Sequence, residues 1–327
     1  MYQDDDKKIR RNFLGGYLKM KKIMMMISLL TVLSLALVGC GQNNQPTPAS
    51  QSTTSSSNES KVETISATDD IDFSEMIEIR GSDTMVNLGQ AWAEAFMDKH
   101  PEAIIAVTGG GSGTGIAAII NNNAHMAQSS RAMREGEREQ AEANGYELME
   151  YVPGLDGIVI ATHVDNPIES LTMAEVKGIY TGEIKNWSEV GGLDQPIVLY
   201  SRESSSGTFA FVREFVLEDE EFAPEALLMP STSSIVDGLK QSENGIGYIG
   251  LGYLTDEIKA IPIAAEKGAQ AFLPNIQTIN SGDYPVARNL YLYTPGEPTG
   301  VLKLYMDFIM GPEGQKIVED LQFIPVN

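Results

Sequence analysis

Three clusters of small and hydroxylated residues could each hold an anion: Gly81-Ser82-Asp83-Thr84, Gly109-Gly110-Gly111-Ser112-Gly113-Thr114-Gly115 and Arg202-Glu203-Ser204-Ser205-Ser206-Gly207-Thr208. Each follows a strand-like run and precedes a helix-like one. A helix start leaves several N–H groups without partners and carries about half a unit of positive dipole charge. Small residues let an oxyanion approach that backbone. Ser and Thr hydroxyls add donors, and Arg202 adds a fixed charge on a forked donor array. Taken singly, such loops are also ordinary turns and helix caps. Three of them, from well-separated parts of one chain, point to a single compact tetrahedral anion among converging helix starts.

Other chemistries fit less well. The glycine loop matches a dinucleotide fingerprint only in the relaxed form Gly113-x-Gly115-x-x-Ala118, and no P-loop lysine follows it. A hydrolase using Ser112, Ser205 or Ser206 as nucleophile would need a nearby base. The three histidines, His100, His125 and His163, are scattered, and no cluster has metal-ligand spacing. The expectation is binding without catalysis, metal or cofactor. An exported phosphatase-like enzyme and a surface adhesin are the rival classes.

The elements that must position these loops alternate. Ile77 to Ile79 reads as a strand, and Leu88, Trp92 and Phe96 recur at helical spacing until His100-Pro101. Ile104 to Val107 is a second strand, Ile116 to Ile120 the apolar face of a second helix, Met126 to Ser129 a third strand, and Arg134 to Asn144 a polar surface helix. This order implies a mostly parallel sheet with ligands at the carboxyl ends of its strands. Tyr151 to Thr162 reads as a crossover into a second domain that has its own alternation. Ile258 to Ile263 and Asn289 to Tyr293 read as strands that rejoin the first domain, followed by a last helix, Val301 to Met310, stopped at Gly311-Pro312. A domain interrupted in this way suits hinged closure on a ligand. The expected class is an α/β chain of two lobes, each a mostly parallel sheet flanked by helices. The lobe boundaries fall at 71–152 and 258–327 for the first lobe and 153–257 for the second.

Residues 1–70 read differently. Lys19, Lys21 and Lys22 precede the apolar run Ile23 to Val38, which ends at Leu37-Val38-Gly39-Cys40, an export signal over 1–40 with a cleavage site. The stretch before Met20 reads equally as an extended n-region or as sequence upstream of the true start. Cys40 is the chain's one cysteine, so an exported protein cannot use it for an internal disulfide, and an anchor is the better reading. Residues 41–70 are rich in Ser, Thr, Gln and Asn, a tether with a reach of roughly 30 Å. The whole chain of 327 residues carries a formal charge of −22. Residues 1–40 hold seven Lys/Arg and three Asp/Glu, so the remainder carries 16 against 42, a charge of −26. That surface argues against nucleic acid and anionic lipid as partners. An anion must therefore be recognised locally, by aligned N–H groups, hydroxyls and one or two arginines.

From Met76 onward the chain resembles the substrate-binding lipoproteins of bacterial phosphate ABC transporters. The resemblance rests on the Gly-Ser-Asp-Thr loop, on Gly111-Ser112-Gly113-Thr114-Gly115, on Arg202 with Ser206-Gly207-Thr208, and on Leu171 to Trp187 in the second lobe. Leu-Val-Gly-Cys resembles the family's lipobox. The resemblance implies a monomeric, two-lobed binding protein of the type II periplasmic-binding-protein-like fold, with inorganic phosphate as ligand and a membrane ABC permease as partner. It further implies lipidation at Cys40, palmitate included, and a place on the outer face of the cytoplasmic membrane. Another tetrahedral oxyanion, sulfate or molybdate, is the alternative ligand. The implied contacts are the Thr84 hydroxyl and N–H with Met85 N–H, then Ser112, then Arg202, Ser206, Gly207 and Thr208. Ser82, Asp83, Gly111, Ser130 and Arg131 complete the candidate set. Some members place a proton-accepting aspartate after the third strand, where this chain has Ser130-Arg131. Asp83 is then the candidate acceptor for the phosphate proton, with Arg131 offsetting its charge or pairing with it.

Overall fold

The computed structural model describes residues 71–326. The export signal, the tether and Cys40 lie outside the described residues. Ile77 and Ile79 alternate with polar neighbours and bury one face of strand β1, Met76–Gly81. A 3-10 turn, Asp83–Met85, leads into α1, Val86–Lys99, which packs Leu88, Trp92 and Phe96 onto the sheet. Then follow β2 (Ile104–Thr108), α2 (Ser112–Ile120), β3 (Met126–Ser129) and α3 (Glu135–Ala143). β1 pairs in parallel with both β2 and β3. All three strands therefore deliver their loops to one edge, as their order implies.

The crossover is one long strand, β4, Leu148–His163. Beyond it lie β5 (Leu171–Thr172), α4 (Met173–Thr181), β6 (Val198–Arg202), α5 (Gly207–Phe211) continuing as a π turn over Val212–Val216, β7 (Leu227–Met229), α6 (Thr232–Gln241) and β8 (Gly245–Gly250). A capping box starts α4, where Thr172 Oγ1 accepts from Glu175 N–H at 3.2 Å and Glu175 Oε2 accepts from Thr172 N–H at 2.7 Å. β6 pairs in parallel with β7 and β8. The chain continues through β9 (Ile258–Ala260), β10 (Ile263–Ala264), β11 (Ala271–Phe272), α7 (Ile276–Ser281), β12 (Ala287–Pro295), α8 (Gly300–Met310) and α9 (Pro312–Asp320).

The main sheet runs β2-β1-β3-β12-β4-β8-β6-β7, with β9 also on β4, and β11-β10-β5 form a small second sheet. Two parallel trios are thus joined by two antiparallel strands, β12 and β4, paired from Ala287↔Gly157 to Pro295↔Leu148. Each trio has its own core. One gathers Ile77, Leu88, Trp92, Phe96, Leu290 and Tyr305. The other gathers Ile158, Tyr180, Trp187, Ile235, Ile246 and Tyr248. This is a two-lobed α/β fold with the antiparallel pair at its waist.

Two expectations need correction. Ile258 to Ile263 does not rejoin the first lobe: β9 pairs with Ala161–His163 of β4, β10 pairs with β5, and Ile258, Ile261 and Ile263 are buried in the second core. The return is made by β12, whose Tyr291, Leu292 and Tyr293 pair with β3. An apolar run signals burial without saying in which sheet, and β4 serves both lobes. Nor is the helix ending at Met310 the last, because Pro312 both halts α8 and opens α9, where its fixed φ and missing N–H suit the first turn.

Gly115 sets how closely α2 lies on β1, since a Cβ there would overlap Arg80 O and sit 2.5 Å from Gly81 Cα. Gly136, on α3, has nothing within 4 Å of such a Cβ. Gly115→Ala is expected to destabilise the chain by about 1–3 kcal/mol, whereas Gly136→Ala should be neutral or slightly stabilising. Urea unfolding of both variants checks this, and equal midpoints would contradict the packing argument.

Candidate functional site

The turn after β1, the start of α2 and the end of β3 face the start of α5 across the waist. Ser82, Thr84, Ser112, Ser130, Arg202, Ser206 and Thr208 are each at most 2% exposed, so the predicted polar residues are shut inside the molecule. Thr84 Oγ1 of the first lobe lies 2.9 Å from Thr208 Oγ1 of the second. Ser112 Oγ accepts from Ser130 N–H at 3.0 Å and lies 3.3 Å from Ser130 Oγ. Gly207 Cα sits against both serines, since a Cβ there would overlap Ser112 Oγ and lie 2.7 Å from Ser130 Oγ. Ser206 caps α5, its Oγ accepting from Thr208 N–H and Phe209 N–H at 3.2 and 3.3 Å, which leaves its O–H to donate outward. Ser82 Oγ is buried without a hydrogen-bond partner.

Other candidates are engaged in building the loops. Met85 N–H donates to Ser82 O at 3.1 Å, and its side chain is in the core. Gly111, at φ +94°, donates its N–H to Gly81 O at 2.9 Å and ties the second loop to the first. Gly113 N–H crosses between lobes to Ser205 O at 3.0 Å.

The arginines depart from expectation. Arg131 does not offset Asp83: its fork closes on Glu137 at 2.8 and 2.6 Å, and Nη1 also donates to Ala132 O at 2.9 Å. Burial tends to raise the Glu137 pKa, but the Arg131 hydrogen bonds and the Arg134 N–H more than offset this and hold it below the usual range. Asp83 pairs instead with Arg202, whose Nη2 donates to Oδ2 at 2.6 Å, while Gly110 N–H donates to Oδ1 at 3.0 Å. Both carboxylate oxygens are therefore occupied in holding loops together. The Arg202 guanidinium donates four bonds, the others to Met229 O, Thr232 Oγ1 and Pro230 O. Tyr253 O–H donates to Asp83 O at 2.6 Å, and burial pushes its phenol up to about 12.

Sequence reasoning missed a second buried arginine. Arg288 on β12 donates from Nη2 to Asp156 Oδ2 at 2.9 Å, to Thr208 Oγ1 at 2.9 Å and to Thr84 Oγ1 at 3.3 Å. Asp156 is its cross-strand neighbour on β4, and Leu251 N–H donates to Asp156 Oδ1 at 3.1 Å. Burial raises the Asp156 pKa and lowers that of Arg288, and each is drawn back by the other's charge. A signal was present: Arg288, Leu290 and Leu292 fall on one side of an alternating strand, as do Asp156, Ile158 and Ile160. Such parity places a charge on the buried face.

The arrangement is a sealed polar seam of hydroxyls and helix starts, where the arginines at positions 131, 202 and 288 are each matched by a carboxylate. Its hydroxyl and N–H donors suit a small oxyanion, and no histidine joins it. Among the described residues, no group of three or more His, Cys, Asp or Glu side chains could hold a metal ion, and no helix is long and apolar enough to cross a membrane.

Two lobes closing a seam of facing loops define a periplasmic-binding-protein-like molecule. The chain belongs to the PBP superfamily, whose domain model it matches over residues 45–313, and within it to the family of the PstS phosphate-binding proteins. It is 34% identical to phosphate-binding protein PstS of Bacillus subtilis over 250 residues, 76% of this chain and 80% of that one. It is 32% identical to PstS of Pseudomonas aeruginosa over 263 residues, 75% of this chain and 81% of that one. Among solved structures it is similar to a protein from Clostridium perfringens, described as a phosphate ABC transporter substrate-binding protein and crystallised with bound phosphate. The TM-score is 0.71 and the identity 32%, covering 77% of this chain and all of that one. An ABC-type phosphate transport receptor from Vibrio cholerae aligns at a TM-score of 0.61 and 27% identity, covering 76% of this chain and 99% of that one.

Because Arg202 serves four acceptors from one planar fork, Arg202→Lys is expected to leave buried acceptors unpaired and lower stability by about 1–3 kcal/mol. A urea midpoint unchanged from the parent would show that the fork is dispensable.

Proposed function

We propose that this chain captures inorganic phosphate outside the cytoplasm and delivers it to a membrane ABC permease, without chemistry on the ligand. The observation that carries this reading is the meeting of Thr84 and Thr208, one hydroxyl from each lobe, 2.9 Å apart inside a sealed seam. A ligand that both lobes grasp favours the closed form, because only a differential contact biases that equilibrium. The phosphate-binding names of the relatives and the phosphate bound to the Clostridium perfringens structure support the same ligand.

In this reading the anion lies among Ser82, Thr84, Ser112, Ser130, Ser206, Gly207 and Thr208. Hydroxyls can turn to donate to a charged oxygen or to accept from a protonated one, which suits an anion that carries a proton. Arg202 adds a charge-assisted contact to the anion, Asp83 and Gly111 are positioning residues that fix the loops, and Arg131 fixes the start of α3 through Glu137. The N–H groups at the starts of α2 and α5 complete the cradle. At the other end of the chain, Cys40 carries the lipid, and the tether after it holds the lobes near the permease. One acyl chain binds a membrane only weakly, so stable attachment involves more than one.

Phosphate-stripped full-length protein is expected to bind one phosphate per chain in calorimetry, and Thr208→Val to weaken binding about tenfold or more through loss of a hydrogen bond to a charged group. Gly207→Ala should do the same by holding the lobes apart. Failure of the parent to bind phosphate, or a preference for sulfate or molybdate in competition, would refute the assignment. Cys40→Ala should move the protein from the membrane to the soluble fraction of expressing cells. Retention of that variant on membranes would exclude the anchor.

A further inference from the structure

Arg288 stands where the two lobes and the hinge meet. Its Cα is paired with that of Asp156 across the two strands that join the lobes, and one Nη2 group reaches Asp156, Thr84 of the first lobe and Thr208 of the second. The side chain is 3% exposed, and its Nε and Nη1 are buried with no hydrogen-bond partner. Donors on a buried guanidinium are costly to leave unmatched, because their hydration is lost and nothing replaces it. A purely structural ion pair would present those donors to carbonyls, as Arg202 does with Met229 O and Pro230 O. Arg288 instead turns one edge to a carboxylate and two ligand-facing hydroxyls, while Phe211 covers it with a ring 5.4 Å from Cζ.

We propose that Arg288 is itself an anion-binding residue of this site, its unmatched donors meeting the oxyanion that Thr84 and Thr208 grasp, and that Asp156 is the positioning residue that orients it. The proposal rests on the phosphate reading of the site and adds a second arginine to it, one borne by a strand of the waist. Two consequences follow from the geometry. The guanidinium contacts ligand groups from both lobes at once, so it senses closure as well as charge. Arg202, its fork turned to Asp83 and three other acceptors, approaches from the second lobe, and Arg288 brings the second guanidinium from the waist.

The experiment uses full-length, phosphate-stripped protein titrated with inorganic phosphate. The double variant Arg288→Gln/Asp156→Asn removes both charges at similar volume, so that neither is left unpaired in the interior. It is expected to unfold cooperatively and to bind phosphate about a hundredfold more weakly than the parent. Weakening of less than about tenfold in the folded double variant would overturn the proposal. Asp156→Asn alone provides a second arm that does not depend on the double variant folding. It leaves the Arg288 charge without its counterion, so saturating phosphate should raise its melting temperature by more than it raises that of the parent. An equal or smaller rise would assign the pair a structural role only. Thr208→Val separates the two readings: a parent that binds phosphate and a Thr208→Val that loses it, beside an unaffected double variant, would defeat the role of Arg288 alone. A parent that gives no heat with phosphate would defeat both readings.

Discussion

The antiparallel pairing of β4 with β12 is the constraint on which the rest of the molecule depends. Parallel trios lie on either side of it, and each presents the carboxyl ends of its strands, and so its loops, toward the waist. A parallel trio needs crossover helices on its faces to be buried. The lobes therefore acquire separate cores, joined by the two crossing strands and by the C-terminal pair Phe323 and Ile324, one residue in each core. Leu290 and Leu292 of β12 belong to one core, and Val286, just before that strand, belongs to the other. The loops that face each other across the waist are the ones proposed to hold the ligand.

A strongly acidic chain that holds an anion must rely on local donors. Net positive charge is scarce at the seam, because each of its arginines is matched with a carboxylate: Arg131 with Glu137, Arg202 with Asp83 and Arg288 with Asp156. The pairs have different surroundings. Arg131–Glu137 is partly exposed, so solvent screens it, whereas Arg288–Asp156 is almost wholly enclosed and its desolvation weighs heavily against its attraction. An enclosed pair of that kind is a poor source of stability. Its retention under the ligand-facing threonines is better understood as a means of orienting donors, which hydrophobic replacements of the same volume could not supply.

Much of the fold was legible because the signals were local. The strand runs ending at Gly81, Val107 and Ser129, the helical spacing of Leu88, Trp92 and Phe96, and the Ser206-Gly207-Thr208 helix start are set by nearest neighbours. What escaped depended on partners distant in sequence. Ile263 pairs with Leu171, and nothing in either segment specifies the other. Asp83 and Arg131 both belong to the first lobe, yet Asp83 takes its cation from Arg202 in the second, 119 residues away. No glycine, serine or threonine lies between Asp283 and Tyr293, so a search for anion loops passes over Arg288. Only its parity with Leu290 and Leu292 marks it.

Close approach of the lobes is limited by backbone as much as by hydrogen bonds. Gly207 lies so near Ser112 and Ser130 that a methyl group would not fit, and Gly111 lies against Ser205, where a Cβ would be 2.5 Å from the carbonyl oxygen. With the lobes that close, several bonds cross the seam: Gly113 N–H to Ser205 O, Tyr253 O–H to Asp83 O and Arg202 to Asp83. The two neutral bonds contribute about 1 kcal/mol each, and exposed pairs such as Arg134–Glu214 contribute less. In the proposed reading the anion replaces hydroxyl-to-hydroxyl contacts, Thr84 to Thr208 and Ser112 to Ser130, with charge-assisted bonds roughly twice as strong. It also supplies partners to buried donors that the protein leaves unmatched, the Ser82 hydroxyl and two nitrogens of Arg288, so ligand binding and lobe closure reinforce each other.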